Sequence, residues 1–194
     1  MHDDSSVDEA MTVLLAAVDA HDSYTGKHSR SVVDLAVQVA RHLGLSEDEV
    51  EMVEHVALLH DVGKVGIPDG VLLKPGPLSD GEMEIVRCHS IIGARIVASV
   101  AGLAHIAPAI RSGHERWDGT GYPDGLYGAE IPIYSRVIAV CDAYDAMTSD
   151  RPYRPALTTE RARSEISRHA GSQFCPRAAS ALLTVLENTP VPVG

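Results

Sequence analysis

An all-α domain is what this chain predicts, for three reasons. Apolar residues recur at intervals of three and four almost everywhere, alternating apolar and polar runs are scarce, and aromatic residues are only 4% of the composition; strands favour the opposite of each. With 194 residues, 45% of them hydrophobic, the chain can bury one substantial core and is too short for two ordinary domains. The reading is a compact bundle of roughly seven to eight helices over residues 11–188, with tails at 1–10 and 189–194.

A first helix is predicted from Val7 to Ala20 and a second from Thr25 to Leu43, ended by Gly44 in the left-handed position that glycine favours. Ser46 and Glu49 form a capping box that opens a third helix running to His60. Ser79 and Glu82 form another, and Leu78 with Met83 has the spacing of a hydrophobic staple, so a fourth helix runs from Asp80 through His89 to Val100. A fifth runs from Leu103 to His114. The segment Glu115 to Pro132 is rich in Gly, Asp, Pro and Tyr and lacks periodicity. Long ordered loops in compact domains tend to be functional. Helices at Ile133 to Met147, Thr159 to Ala170 and Pro176 to Glu187 follow, the last with proline in its first turn.

Composition excludes several classes of function. A formal net charge of −11 argues against broad gripping of a nucleic-acid polymer, which needs lysine and arginine to neutralise phosphates. Cys88, Cys141 and Cys175 are an odd set without a CxxC pair, which suggests small buried side chains rather than a disulfide framework or a thiolate zinc site. No stretch approaches a membrane span, and the acidic start Met1 to Glu9 lacks a signal peptide's layout, so the chain is expected in the cytoplasm. Ten histidines against 16 lysines plus arginines is a high count. Several adjoin aspartates, as at a cation site.

His28 precedes Val32, Leu35 and Val39 by four, seven and eleven residues, and His60 follows Val50, Val53 and Ala57 at similar spacing, so both are expected to face the core. His89 and His114 fall at predicted helix ends. Asp142 follows Ile138 by four, with Asp145 one turn beyond. A lone inward histidine is more often a hydrogen-bonded core residue than a ligand. Four histidines and two aspartates entering one core are costly unless they are paired or metal-bound. In His60-Asp61 the imidazole can bind one cation while the carboxylate bridges to a second, about 3.5–4 Å away, an arrangement that activates a bridging hydroxide for phosphoryl displacement. Lys64 can add a positive charge over a phosphate or be an ordinary surface lysine. Arg151 and Arg154, around Tyr153, can grip phosphate or form a solvated turn.

The ordered set HDVGK at 60–64, LLKPGPLSDGE at 72–82, RCH at 87–89, HERWDGTGYPDGLYGAEIP at 114–132 and VCDAYDAMTSDRPYR at 140–154 resembles the HD-GYP family of the HD phosphohydrolase superfamily, from Met11 to Glu187. The resemblance implies a helical HD bundle with a long GYP loop, a centre of iron or manganese (zinc, nickel or magnesium being further candidates), and hydrolysis of cyclic di-GMP to pGpG or GMP. Position by position it implies His28, His60, Asp61 and Asp142 as ligands of one metal, with Asp61 bridging, and His89 and His114 as ligands of the second. It implies Lys64, Arg151 and Arg154 for phosphate or guanine contacts, Asp145 for support, and Tyr122 with Gly121 and Pro123 for the loop that shapes the site. Two departures stand out. Many members carry paired histidines before the ERWDG segment where this chain has Gly113, and members with a third metal place a glutamate where it has Tyr24, so two divalent ions at most are expected. Family habit further implies GGDEF-domain proteins or a separate sensor or receiver domain as partners, and admits a homodimer. Two alternatives stay open: a catalytically weak nucleotide receptor or interaction module, and hydrolysis of another nucleotide such as cyclic GMP-AMP.

Overall fold

The computed structural model describes the backbone of residues 4–21, 25–150 and 155–188, and side chains of residues 7–18, 30–150 and 155–188. Among the described residues it holds ten α-helices and no β-strand. They are α1 (Asp4–His21), α2 (Thr25–His42), α3 (Glu47–Leu59), α4 (Asp69–Leu72), α5 (Asp80–Arg87), α6 (His89–Ala98), α7 (Ala107–Arg111), α8 (Ile133–Thr148), α9 (Thr159–Arg168) and α10 (Pro176–Asn188). Tighter 3₁₀ turns occupy Val62–Gly66, Ala104–Ile106 and Gly128–Glu130.

The core forms where α2, α3, α8 and α10 meet. Val32, Ala36, Val39 and Ala40 recur at helical spacing on α2 and are fully buried, as are Val53 and Ala57 of α3, Val137 and Val140 of α8 and Leu182 of α10. Burying each of these valine and leucine side chains gives about 1.5–3 kcal/mol. The buried Ser135 hydroxyl donates to the Ala109 carbonyl at 2.9 Å and ties the start of α8 to α7.

Predicted stops and starts fall where local chemistry puts them. Gly44 has φ 76°, and Leu45 N–H reaches back to the Ala40 carbonyl at 3.2 Å, closing α2. The capping boxes at Ser46 with Glu49 and Ser79 with Glu82 are both formed. Helix α1 begins at Asp4, inside the stretch expected as a tail.

Three expectations need correction. The fourth helix is broken at Cys88, whose N–H bonds back to Ile85 and Val86. The break separates α5, which buries nothing, from α6, which buries His89, Gly93, Ala94 and Val97, because continuing one axis would hold that second stripe away from the core. The fifth helix ends at Arg111, three residues before His114. Of the cysteines only Cys141 and Cys175 are buried; Cys88 is exposed at the α5–α6 corner, its thiol donating to the Glu84 carbonyl at 3.3 Å.

Candidate metal centre and its cavity

Three chain segments converge on one point. The end of α3 delivers His60 as its C-terminal cap, and Asp61 follows at φ −100°, ψ 3°, entering the Val62–Gly66 turn. This turn packs on α6. Gly63 makes the approach feasible: a Cβ there would collide with the carbonyl of His89 and the amide of Gly93. The first residue of α6 is His89, and the turn after α7 brings His114 opposite it.

Asp61, His89 and His114 place one candidate ligand atom each within 4.8 Å of one another. His89 Nε2 lies 2.9 Å from His114 Nε2 and 3.7 Å from Asp61 Oδ1. His60 Nε2 adjoins Asp61 Oδ2 at 3.6 Å, and Lys64 Nζ donates to that oxygen at 2.6 Å. His60, Asp61 and His89 are all buried.

The tautomers are fixed by what the other ring nitrogen meets. His60 Nδ1 faces the Ala57 carbonyl and His89 Nδ1 faces the Val86 carbonyl, each at 2.7 Å. A carbonyl only accepts, so each Nδ1 carries a hydrogen, which leaves Nε2, on the Asp61 side, as the nitrogen that could bind a cation. Burial holds His89 below the usual histidine range, partly opposed by the Asp61 carboxylate. Burial, then the His89 ring, pushes His114 down to about 4. Burial alone would raise Asp61, but His60, Lys64 and His89 outweigh it and hold the carboxyl well below its ordinary value. Neutral imidazoles and an ionised carboxylate converging on one point are the donor set of a divalent first-row cation, so these residues fit a metal ion.

A cavity of about 270 Å³ opens beside the group, with His114, Tyr122, Asp142, Arg87 and Arg116 on its wall. The Tyr122 ring stacks on His114 at 5.2 Å between centroids, 14° from parallel, and the Arg87 guanidinium carbon lies over the same ring, 5.3 Å from its centroid. Burial raises the Tyr122 hydroxyl to about 12, so it stays protonated. The loop that carries Tyr122 is held by Glu115, a buried carboxylate that accepts from the amides of Asp124, Gly125 and Leu126 at 2.7, 3.0 and 3.1 Å. Gly121 passes so close to the Glu115 and Arg116 backbone that a side chain there would collide with it.

Of the residues singled out in the sequence, His60, Asp61, Lys64, His89 and His114 thus gather at one point, and Tyr122 and Asp142 line the adjoining cavity with His114. Asp145 is buried one turn past Asp142, off the cavity wall, with the Ser149 hydroxyl donating to it at 3.4 Å. Gly113 also lines the cavity; an added Cβ would make ordinary contact with the Ile110 carbonyl at 3.4 Å, so the backbone does not demand glycine there. His28 lies in α2 with its side chain outside the described residues, and Arg151, Arg154 and Tyr24 fall outside them altogether. Sequence reasoning gave no role to Arg87, Glu115 or Gly63. All three stand inside the quoted motifs, but a close backbone approach such as that of Gly63 leaves no periodic signal.

Comparison with known proteins bears on the family and the fold. The HD domain family model matches residues 12–177. The cyclic di-GMP phosphodiesterase response regulator RpfG of Xanthomonas campestris is 40% identical over 185 residues, covering 90% of this chain and 47% of that protein. A cyclic di-GMP phosphodiesterase of Thermotoga maritima is 40% identical over 177 residues, covering 90% and 48%. The chain therefore spans about half the length of these relatives. A cyclic GMP-AMP-specific phosphodiesterase of Vibrio cholerae superposes with a TM-score of 0.70 at 21% identity, over 92% of this chain and 48% of that one; the fold is shared.

Proposed function

The chain belongs to the HD domain family, and on that premise we propose that it is a metal-dependent phosphodiesterase that hydrolyses cyclic di-GMP to pGpG, GMP or both. The observation that carries this is the convergence of the Nε2 atoms of His89 and His114 on the Asp61 carboxylate, beside a cavity able to admit part of a nucleotide.

We assign at most two divalent ions, iron or manganese first and zinc, nickel or magnesium as substitutes. His28, His60, Asp61 and Asp142 hold one and His89 and His114 the other, with Asp61 shared. Bound ions supply Lewis acidity and an activated water for in-line displacement at phosphorus. The protein's own groups orient the reaction. The Ala57 and Val86 carbonyls fix the rings of His60 and His89. Lys64 balances the charge of Asp61 and stands ready for a phosphate oxygen. Tyr122, stacked on His114, shapes the wall against which the nucleotide packs, and Arg151 and Arg154 contact phosphate or guanine with Asp145 in support. No helix of the described residues is long and apolar enough to cross a membrane. Action in the cytoplasm, alongside GGDEF-domain proteins or a separate sensor or receiver domain, follows from the same reading.

The test is to incubate manganese- or iron-loaded protein with cyclic di-GMP, cyclic GMP-AMP and cyclic di-AMP in parallel and to separate the products by chromatography. Linear dinucleotide or mononucleotide from cyclic di-GMP, formed faster than from the other two, is the expected result. Turnover of none of them with any of the five metals would leave only the receptor reading.

A further inference from the structure

The cavity beside the cluster is small for a cyclic dinucleotide. Its volume of about 270 Å³ is below the roughly 300–1,000 Å³ of most small-molecule sites. A depression of about 450 Å³ adjoins it, sharing Ala143, Gln173 and Phe174. For a ligand with two phosphates that presents one to Asp61, His89 and His114, the cavity wall that includes His114 is the nearest seat for the other.

Among the described residues two guanidinium groups line that wall, and their commitments differ. Arg116 is engaged by Asp118 through Nε at 3.2 Å and Nη2 at 2.9 Å, and Nε also donates to Thr120 at 2.8 Å. Arg87 donates through Nη1 at 2.6 Å to Glu84, a carboxylate 70% exposed and one turn earlier on the same surface helix. A pair of this kind is worth about 1 kcal/mol or less, so it exchanges readily for a better anion. The guanidinium also lies over the Tyr122 ring, a contact that survives a change of acceptor. The same wall carries the carboxylates of Asp142 and Glu115, and the whole chain is strongly acidic. An anionic ligand entering here needs a local cation to offset that field.

We propose that Arg87 binds the second, uncleaved phosphate of the cyclic dinucleotide, leaving Glu84 for it while its guanidinium remains on the face of Tyr122. This rests on the cyclic-dinucleotide reading above. Arginine suits the task because its planar fork can meet two phosphate oxygens at once.

The experiment measures equilibrium binding to manganese-loaded protein by calorimetry, using two ligands that resist cleavage: the bis-phosphorothioate of cyclic di-GMP, and linear GpG with its single linkage a phosphorothioate. For Arg87→Ala the expected loss is about tenfold in affinity for the two-phosphate ligand and less than about threefold for the one-phosphate ligand. Arg87→Lys should fall between wild type and Arg87→Ala. Equal losses for both ligands, or none for either, would overturn the role of Arg87 while leaving the substrate reading intact. Wild-type protein that bound neither ligand would instead sink the substrate reading itself, and this inference with it. Metal content per chain, measured on the same samples, should be unchanged in both variants; a parallel loss of metal would assign Arg87 to the integrity of the centre instead.

Discussion

The corner that holds Asp61 and the loop that holds Tyr122 meet at His114 but are built by different physics. The corner is a junction of ordinary elements. Helix α3 ends, one tight turn follows, and Gly63 lets that turn sit on the first residues of α6. Its geometry is inherited from the core, since Leu59 and Val62 on either side of the His-Asp pair are buried. The loop from Glu115 to Pro132 has little regular structure of its own and takes its shape from side-chain bonds, with the buried Glu115 collecting three amides and Asp118 holding Arg116 and Thr120, and from a few close backbone approaches. Damage to the corner should therefore spread into the fold, whereas damage to the loop should stay local.

The largest effect is expected at the junction's chemical centre. Asp61→Ala removes the shared carboxylate, so metal content should drop and turnover should fall by about three orders of magnitude or more, as when one member of a catalytic unit is deleted. Elemental analysis and product assays read both, and circular dichroism should stay near native. Full turnover in both Asp61→Ala and His60→Ala would contradict the assignment. Gly63→Ala comes next. Its methyl group meets backbone that cannot swing away, so global stability should fall by about 3 kcal/mol, read by urea unfolding, with protection lost across α3 and α6 in hydrogen exchange.

Glu115→Gln sharpens the contrast. Three amides lose a charged acceptor, at a cost of about 2 kcal/mol, but faster hydrogen exchange should be confined to residues 118–128 while α2, α3 and α8 remain protected. If exchange instead rose across the core as it does in Gly63→Ala, the loop would not be the separate unit described above.

The smallest effect is on acidification. His114 is held near 4 in the fold, against about 6.5 when unfolded, so below 6.5 the unfolded chain takes up a proton that the folded chain refuses. Stability of metal-free protein should thus decline as pH falls from about 6.5 toward 4. The lowered His89 acts in the same direction. Asp61 adds a loss only below its ordinary carboxylate range, because its folded value is depressed and its stabilisation disappears as that group is protonated. His114→Gln should show a shallower decline between pH 6.5 and 4 in thermal unfolding.

The same contrast explains what could be read from the sequence. Helix starts at Ser46 and Ser79 and the stop at Gly44 were legible because their signals are local, a side chain bonding a backbone group three residues away or a residue that tolerates positive φ. The corner was legible in part. Helical spacing turned His60 inward, and its adjacency to Asp61 suggested a bridge, but the period of Val86, His89, Gly93 and Val97 runs unbroken across Cys88 and concealed the bend that aims His89 at Asp61. That bend is imposed by packing between α6 and the turn beside it, which no local pattern encodes. In the loop, composition marked function and the GYP motif marked Tyr122. The anchoring role of Glu115 went unseen, because a buried acid that collects amides from nine to eleven residues onward reads like any surface glutamate.

The most direct measurement is an anomalous-scattering map from crystals of manganese-loaded protein. A peak bounded by the Asp61 carboxylate and the Nε2 atoms of His89 and His114 is the predicted result. Density showing those three side chains turned apart, or a manganese peak elsewhere and none between them, would contradict the account at its centre.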